Sequence, residues 1–205
     1  MSTLQATNLK HGSSASNNIV LDASGNTTVS GNATVSGTLQ ANGVTGSVYP
    51  LVQGTAQAST SGTSIDFTSI PSWAKRITIM LSGVSTNGTS LKQIQLGDSG
   101  GFETTGYLGS GVQLTDATSV NAATITTGFG IRSALAADTI NGAVVITNLT
   151  NNTWVAQGAL TDSSRGAGYL VGGAKALSDV LTQVRITTVN GTDAFDAGSI
   201  NILYE

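Results

Sequence analysis

Two hundred and five residues, a net charge of −3 and the absence of cysteine bound what this chain can be. Charged residues make up 9% of it, against roughly 25% in ordinary globular chains, while 30 Thr and 24 Ser supply a surface of hydroxyls rather than ions. That balance excludes a charged disordered tail, a disulfide framework or thiolate metal centre and, with eight dispersed Lys and Arg, the basic footprint of a nucleic-acid binder. The longest apolar runs, Ile77 to Leu81 and Ala143 to Ile146, fall far short of the ~18 residues that span a bilayer. Met1 to Lys10 lacks the pattern of a signal peptide. A soluble protein made in a cytoplasm, with no membrane insertion, is the expectation.

In chain order, the first feature is a change of composition. Before Pro50 the only ionisable side chains besides Tyr49 are Lys10, His11 and Asp22; after it lie seven of the eight basic residues and ten of the eleven acids. Tyr49-Pro50 and Gln53-Gly54-Thr55-Ala56 read as a connector, setting a boundary at about residues 46 to 56. Within the first part Gly25, Gly31, Gly37 and Gly43 recur every six residues. Gly, Thr and Asn at that density oppose a helix, so each hexad is expected to be a short extended segment closed by a Gly turn.

The few aliphatic residues between Asp22 and Gly46 cannot offset the entropy of ordering that segment in one chain. Three chains about an axis would bring Val29, Val35 and Leu39 of each together and pair strand edges between chains. Residues 22–49 are therefore expected to form a trimeric β-fibrous shaft. A flexible Gly/Ser linker is the plain alternative, and the fixed spacing with recurring Val speaks against it.

Beyond residue 56 short β-prone runs alternate with turn signals. Expected strands are Ser64–Phe67, Arg76–Leu81, Gln93–Leu96, Ala123–Phe129, Gly142–Leu149, Thr153–Leu160, Gly168–Val171, Val184–Val189 and Gly198–Tyr204. Asn87-Gly88, Asn141-Gly142, Asn151-Asn152 and Asn190-Gly191 mark turns where positive φ costs little. Ala174 to Leu181 has near-helical apolar spacing for one turn at most. The pattern predicts an antiparallel sandwich of jelly-roll type.

The stretch Ser64-Ile-Asp-Phe-Thr-Ser-Ile-Pro-Ser-Trp-Ala-Lys-Arg-Ile-Thr-Ile-Met-Leu-Ser-Gly-Val-Ser-Thr-Asn-Gly-Thr-Ser90 resembles a segment recurring in tail-fibre proteins of tailed bacteriophages. So does the ending Val184-Arg-Ile-Thr-Thr-Val-Asn-Gly-Thr-Asp-Ala-Phe-Asp-Ala-Gly-Ser-Ile-Asn-Ile-Leu-Tyr-Glu205. The beginning, Ala6-Thr-Asn-Leu-Lys-His-Gly and Asn18-Ile-Val-Leu-Asp-Ala-Ser-Gly-Asn26, is similar to leader segments of short fibre and head-decoration proteins of marine and cyanobacterial phages. The resemblance implies a trimeric virion fibre whose N-terminal end is held by other virion proteins and whose C-terminal β-domain faces the host. It supplies no receptor residues.

Catalytic readings are weak. Gly97-Asp98-Ser99-Gly100-Gly101 reproduces the peptide around a serine-protease nucleophile, but the chemistry needs a His as base, and the single His11 precedes the shaft. A Gly-rich turn after the Gln93–Leu96 strand is preferred. Asp193 and Asp196 form a close carboxylate pair that a glycosidase or a Ca²⁺ site would need, and a plain inter-strand loop accounts for them. His11 could ligate a metal on a threefold axis, but nothing places it there.

Aromatic side chains stack on sugar rings. Tyr107, between Gly106 and Leu108, is the candidate expected to be exposed, and Trp154 on an alternating strand is the second. Trp73, after Pro71, is expected to pack. Lys10, Lys92 and Arg165 are expected to be solvated charges. The combined expectation is an all-β virion protein: an attachment segment (1–21), a trimeric shaft (22–49) and a C-terminal β-sandwich head (50–205). It would bind a host surface glycan or outer-membrane protein without catalysis, cofactor or metal, as a homotrimer. A capsid decoration or head-fibre protein is the alternative.

Overall fold

The computed structural model describes residues 7–17, 19–24, 27–30, 50–115 and 119–205, together with the strand backbone of 39–41 and 44–46. Among these residues every regular element is a β-strand, and every strand pair is antiparallel. The chain divides into two units, residues 1–48 and 49–205.

In the first unit β1 (Asn8–Leu9), β2 (Ile19–Leu21) and β3 (Thr27–Val29) form a three-stranded sheet, and β4 (Leu39–Ala41) pairs with β5 (Val44–Gly46). Leu9 stands opposite Ile19, and Ile19 opposite Val29. Directly paired residues share a face, so with Leu21 four aliphatic side chains lie on one side of this sheet. Leu9, Leu21 and Val29 are exposed there, Val29 at 41%. The β2–β3 pairing joins residues on both sides of position 21 into a single sheet. Of the expected shaft core, Val29 lies on this bare face; Val35 and the side chain of Leu39 fall outside the described residues.

The second unit begins with β6 (Val52–Gln53), β7 (Gln57–Ala58), β8 (Ser64–Phe67), β9 (Arg76–Thr86), β10 (Lys92–Asp98) and β11 (Gly101–Phe102). It continues with β12 (Leu108–Thr115), β13 (Ser119–Ile125), β14 (Phe129–Ile131) and β15 (Ile140–Thr150). β16 (Thr153–Asp162), β17 (Ala167–Ala176), β18 (Gln183–Thr188) and β19 (Phe195–Tyr204) complete it. A five-stranded sheet runs β11-β10-β18-β8 with β14 beside β10, and a nine-stranded sheet runs β13-β12-β17-β16-β15-β9-β19-β6 with β7 beside β19.

Period-two alternation dictates which side chains enter the core. In β9 Ile77, Ile79 and Leu81 are buried while Thr78 and Met80 are not; in β19 Ile200 and Ile202 are buried while Asn201 and Leu203 point away. One apolar cluster draws on both sheets, with Ile94, Leu96, Val184 and Ile186 from the smaller and Ile77, Val144, Ile146 and Ile202 from the larger. Each buried aliphatic side chain contributes about 1.5–3 kcal/mol.

Four local expectations need correction. The segment 108–115, absent from the expected strands, is one, although glycine lowers its propensity. Gly109 and Gly111 face inward, and a Cβ at Gly111 would stand 2.6 Å from the carbonyl oxygen of Gly130, so the glycines are what let β12 lie against β14. Residues 123–129 are not one strand but the end of β13, a break, and the start of β14. Asn141-Gly142 lies inside β15 as an irregularity against β9, with Gly142 at φ +127° and Asn141 Oδ1 accepting from the Gly83 amide at 2.8 Å. Ala174–Leu181 has no helical turn: β17 runs to Ala176, and Ser178 then bonds to Asp98.

Candidate functional site

The strands that send Ile94, Leu96, Val184 and Ile186 into the core must send their intervening residues to the other side of the smaller sheet. There Ser64 stands opposite Thr187 and Thr187 opposite Gln93, while Asp66 stands opposite Arg185 and Arg185 opposite Gln95. These polar rows floor a cleft of about 490 Å³, walled by Thr104, Thr127 and the Asn190-Gly191 turn.

Hydrogen bonds fix the floor. Gln95 Nε2 donates to the Thr127 carbonyl at 2.9 Å, Thr127 Oγ1 donates to Gln93 Oε1 at 2.7 Å, and Thr187 Oγ1 donates to the Thr63 carbonyl at 2.8 Å. The Arg185 guanidinium donates to both Asp66 oxygens, at 2.8 and 2.7 Å, and lies 4.0 Å from the centroid of the Phe102 ring. Hydrogen bonding to Asp66 raises the Arg185 pKa further, so the guanidinium stays charged. Gln93, Gln95 and Thr187 are themselves 2%, 5% and 6% exposed and bonded within the floor. What the cleft opens to a ligand is therefore the Thr63, Ser64 and Thr104 hydroxyls and the Arg185 guanidinium over the Phe102 ring, which suit an uncharged ligand rich in hydroxyl groups.

The two aromatic residues expected to meet sugar are not in this cleft. Tyr107 is 1% exposed: its ring meets Phe129 edge-on at 5.1 Å, and its hydroxyl accepts from the Leu96 amide at 2.6 Å. Trp154 is 3% exposed, because its parity in β16 matches inward-facing Ala156 and Leu160. Both assignments are corrected: these are core residues. Trp73 does pack, against Tyr204 at 5.7 Å.

Lys92 is not a solvated charge, and Arg165, exposed at the surface, is held by two buried carboxylates. Lys92 is buried and its Nζ donates to Ser133 Oγ at 3.0 Å, which donates to Asp138 at 2.9 Å. Arg165 pairs with buried Asp138 at 2.8 Å and Asp162 at 3.2 Å, and the Tyr169 hydroxyl bonds to both carboxylates. Burial lowers the Lys92 pKa and pushes the Tyr169 phenol up to about 12. Burial also opposes the Asp162 charge, but hydrogen bonds from Ser164 and Thr139 outweigh it and hold the carboxyl below its usual range. Two cations balance two anions here, and the network ties the β16–β17 turn to residues 133–139.

The other carboxylates singled out by spacing are likewise committed. Asp193 accepts from the Ser90 amide and the Asn190 side chain, and Asp196 from Ser85 Oγ. Ser99 sits at the exposed tip between β10 and β11 and bonds to Asp179 at 3.3 Å. His11 belongs to the first unit, its Nδ1 2.9 Å from Ser13 Oγ. Among the described residues no three His, Asp or Glu gather at metal-binding distance.

The cleft residues Gln93, Gln95, Arg185 and Thr187 were legible as the polar half of two alternating strands. An emphasis on aromatic side chains passed them over. No protein-family model, no curated protein and no solved structure matches this chain.

Proposed function

We propose that this chain is a homotrimeric fibre protein of a tailed-phage virion, which attaches the particle to its host by non-covalent recognition of a neutral surface glycan. The observation that carries this reading is the hydroxyl-lined cleft, whose one charged lining residue, Arg185, is paired with Asp66. The two sheets of residues 50–205 are read as a β-sandwich head of jelly-roll type, and the first 49 residues as the shaft with its attachment segment. The bare aliphatic face on β1, β2 and β3 supports the trimer, since so small a sheet is marginal in water unless covered. The sequence resemblance to tail fibres points the same way. Weak individual sites suffice, because three linked copies raise avidity by factors of about 10² to 10⁴.

The test is a panel of immobilised bacterial-surface polysaccharides, neutral and acidic, presented to the intact chain and to Thr104→Trp. Thr104 lies on the cleft wall, and a tryptophan there fills the opening. Binding to neutral members by the native chain, lost in the variant, is expected. Binding nowhere, or binding indifferent to the tryptophan, overturns the reading. Antibody labelling of intact virions then separates placements: label at the tail is expected, and label at capsid symmetry axes would establish the decoration role instead.

A further inference from the structure

We propose that the solvent-facing side of the nine-stranded sheet is where copies of this chain meet in the head. The inference rests on the homotrimer reading above and assigns it a surface. In an ordinary antiparallel sheet one face is apolar and the other polar. Here the outward face is mixed but carries one largely apolar row and, away from its margin, no ionic side chain. The register carries one row across six neighbouring strands on the side away from the core: Met80, Ala143, Ala159, Leu170, Val112 and Ala122. The adjacent row, Leu203, Thr78, Val145, Gln157, Gly172, Ser110 and Thr124, is mainly hydroxyl and amide, again without an ionic group. Leu170 is 46% exposed, Val120 70% and Leu108 79%, all from this side.

Size and charge decide what fits. Seven strands at about 4.8 Å and four rows at about 6.8 Å make a face of about 600 Å² per copy. Three such faces turned to one axis bring together about 1,800 Å² in all, an amount in the range of specific interfaces. An anionic surface or an acidic partner would call for cations, and the margin offers only Arg76, already paired with Glu205. An uncharged face is complementary to itself, because like surfaces meet without repulsion. Relief is present too: a hollow of about 440 Å³ opens between Val145, Gly158 and Leu170, while Leu108 and Val120 stand proud. The occupant is a second copy of this chain.

The chain has no cysteine, so one introduced thiol reports its own surroundings. In the intact protein, Leu170→Cys is compared with Ser61→Cys, an exposed loop position off this sheet, for the rate of modification by a polyethylene-glycol maleimide. Light scattering gives the mass of each in parallel. Expected are a mass of about 62 kDa, three times the 20.6 kDa chain, and modification at least tenfold slower at 170 than at 61, the difference vanishing in urea. Leu108→Cys repeats the measurement should the first variant fail to fold. An assembled mass with equal rates overturns this interface and leaves the trimer standing. A single-chain mass with equal rates overturns both. Protection at twice the chain mass upholds the interface and overturns threefold symmetry. Protection that appears only after other virion proteins are added refutes a copy as the occupant.

Discussion

Replacing Tyr107 by phenylalanine separates two roles for one residue. Sugar stacking requires an exposed ring, and its loss would abolish binding while leaving the fold untouched. The structure places the ring in the core and its hydroxyl 2.6 Å from the Leu96 amide and 3.1 Å from the Glu103 carbonyl. Phenylalanine keeps the edge-on contact with Phe129 and removes both bonds, leaving the buried Leu96 N–H without this acceptor. Stranding one buried donor costs about 1–3 kcal/mol. With a urea slope of about 2 kcal/mol per molar for a domain of this size, the unfolding midpoint should fall by about 0.5–1.5 M. Tyr107→Ala also empties the ring's place beside Phe129, a truncation costing about 3–5 kcal/mol, and should lower it by a further molar or more. The assay is equilibrium urea unfolding followed by fluorescence of Trp73 and Trp154, with glycan binding measured under native conditions. A phenylalanine variant that unfolds at the native midpoint but no longer binds would refute the core assignment.

Three further outcomes follow from other parts of the molecule. Val29→Asp adds charge to the bare face of the β1–β3 sheet and should reduce the proposed trimer of about 62 kDa, three chains of 20.6 kDa, while leaving the unfolding of residues 49–205 unchanged; undiminished assembly by light scattering counts against packing there. Gly198 has φ +94°, and a Cβ on it would overlap the Gly83 carbonyl, so Gly198→Ala should destabilise by about 3 kcal/mol or more, read as a urea midpoint lowered by over 1 M. Asp98, hydrogen-bonded by Ser178, and Asp193, hydrogen-bonded by Asn190, are held below the ordinary carboxylate range, as is Asp162. The unfolded chain therefore binds more protons at low pH, so stability should be flat from pH 7 to 5 and decline below about pH 4. A midpoint already falling between pH 7 and 5 would contradict this.

Strand alternation made β9, β10, β15, β16, β18 and β19 readable, because a period of two leaves a mark wherever one side is core. It could not reveal β12. There the inward positions are glycines, and what places them is the close approach of β14, a long-range fact without a local signature. Tyr107 was misplaced for the same reason: between two glycine-rich stretches it looks like loop, yet it anchors the start of a strand. The buried network was hidden differently. Lys92, Asp138, Asp162 and Arg165 are spread over seventy-odd positions of sequence, and only the fold brings them to one point. The cleft was half visible: glutamines alternating with Ile94 and Leu96 announce a polar side, but not that Thr127 would close over it.

The scarcity of charge now acquires a mechanical meaning that can be measured. Many ionic side chains of residues 49–205 are paired with one another: Arg185 with Asp66, Arg165 with Asp138 and Asp162, Lys175 with Glu103, and at the surface Arg76 with Glu205. What remains on the cleft floor and the broad sheet face is hydroxyl, amide and hydrocarbon, on which dissolved ions have no purchase. Salt shortens the reach of exposed charges from about 10 Å at 0.1 M to about 3 Å at 1 M, and an interface steered by ions loses affinity accordingly. The proposed glycan binding and assembly should therefore change by less than about twofold between 0.05 and 0.5 M sodium chloride, measured by equilibrium binding and light scattering. A tenfold loss over that range would mean that ions carry the recognition, and would place the binding surface somewhere other than this cleft.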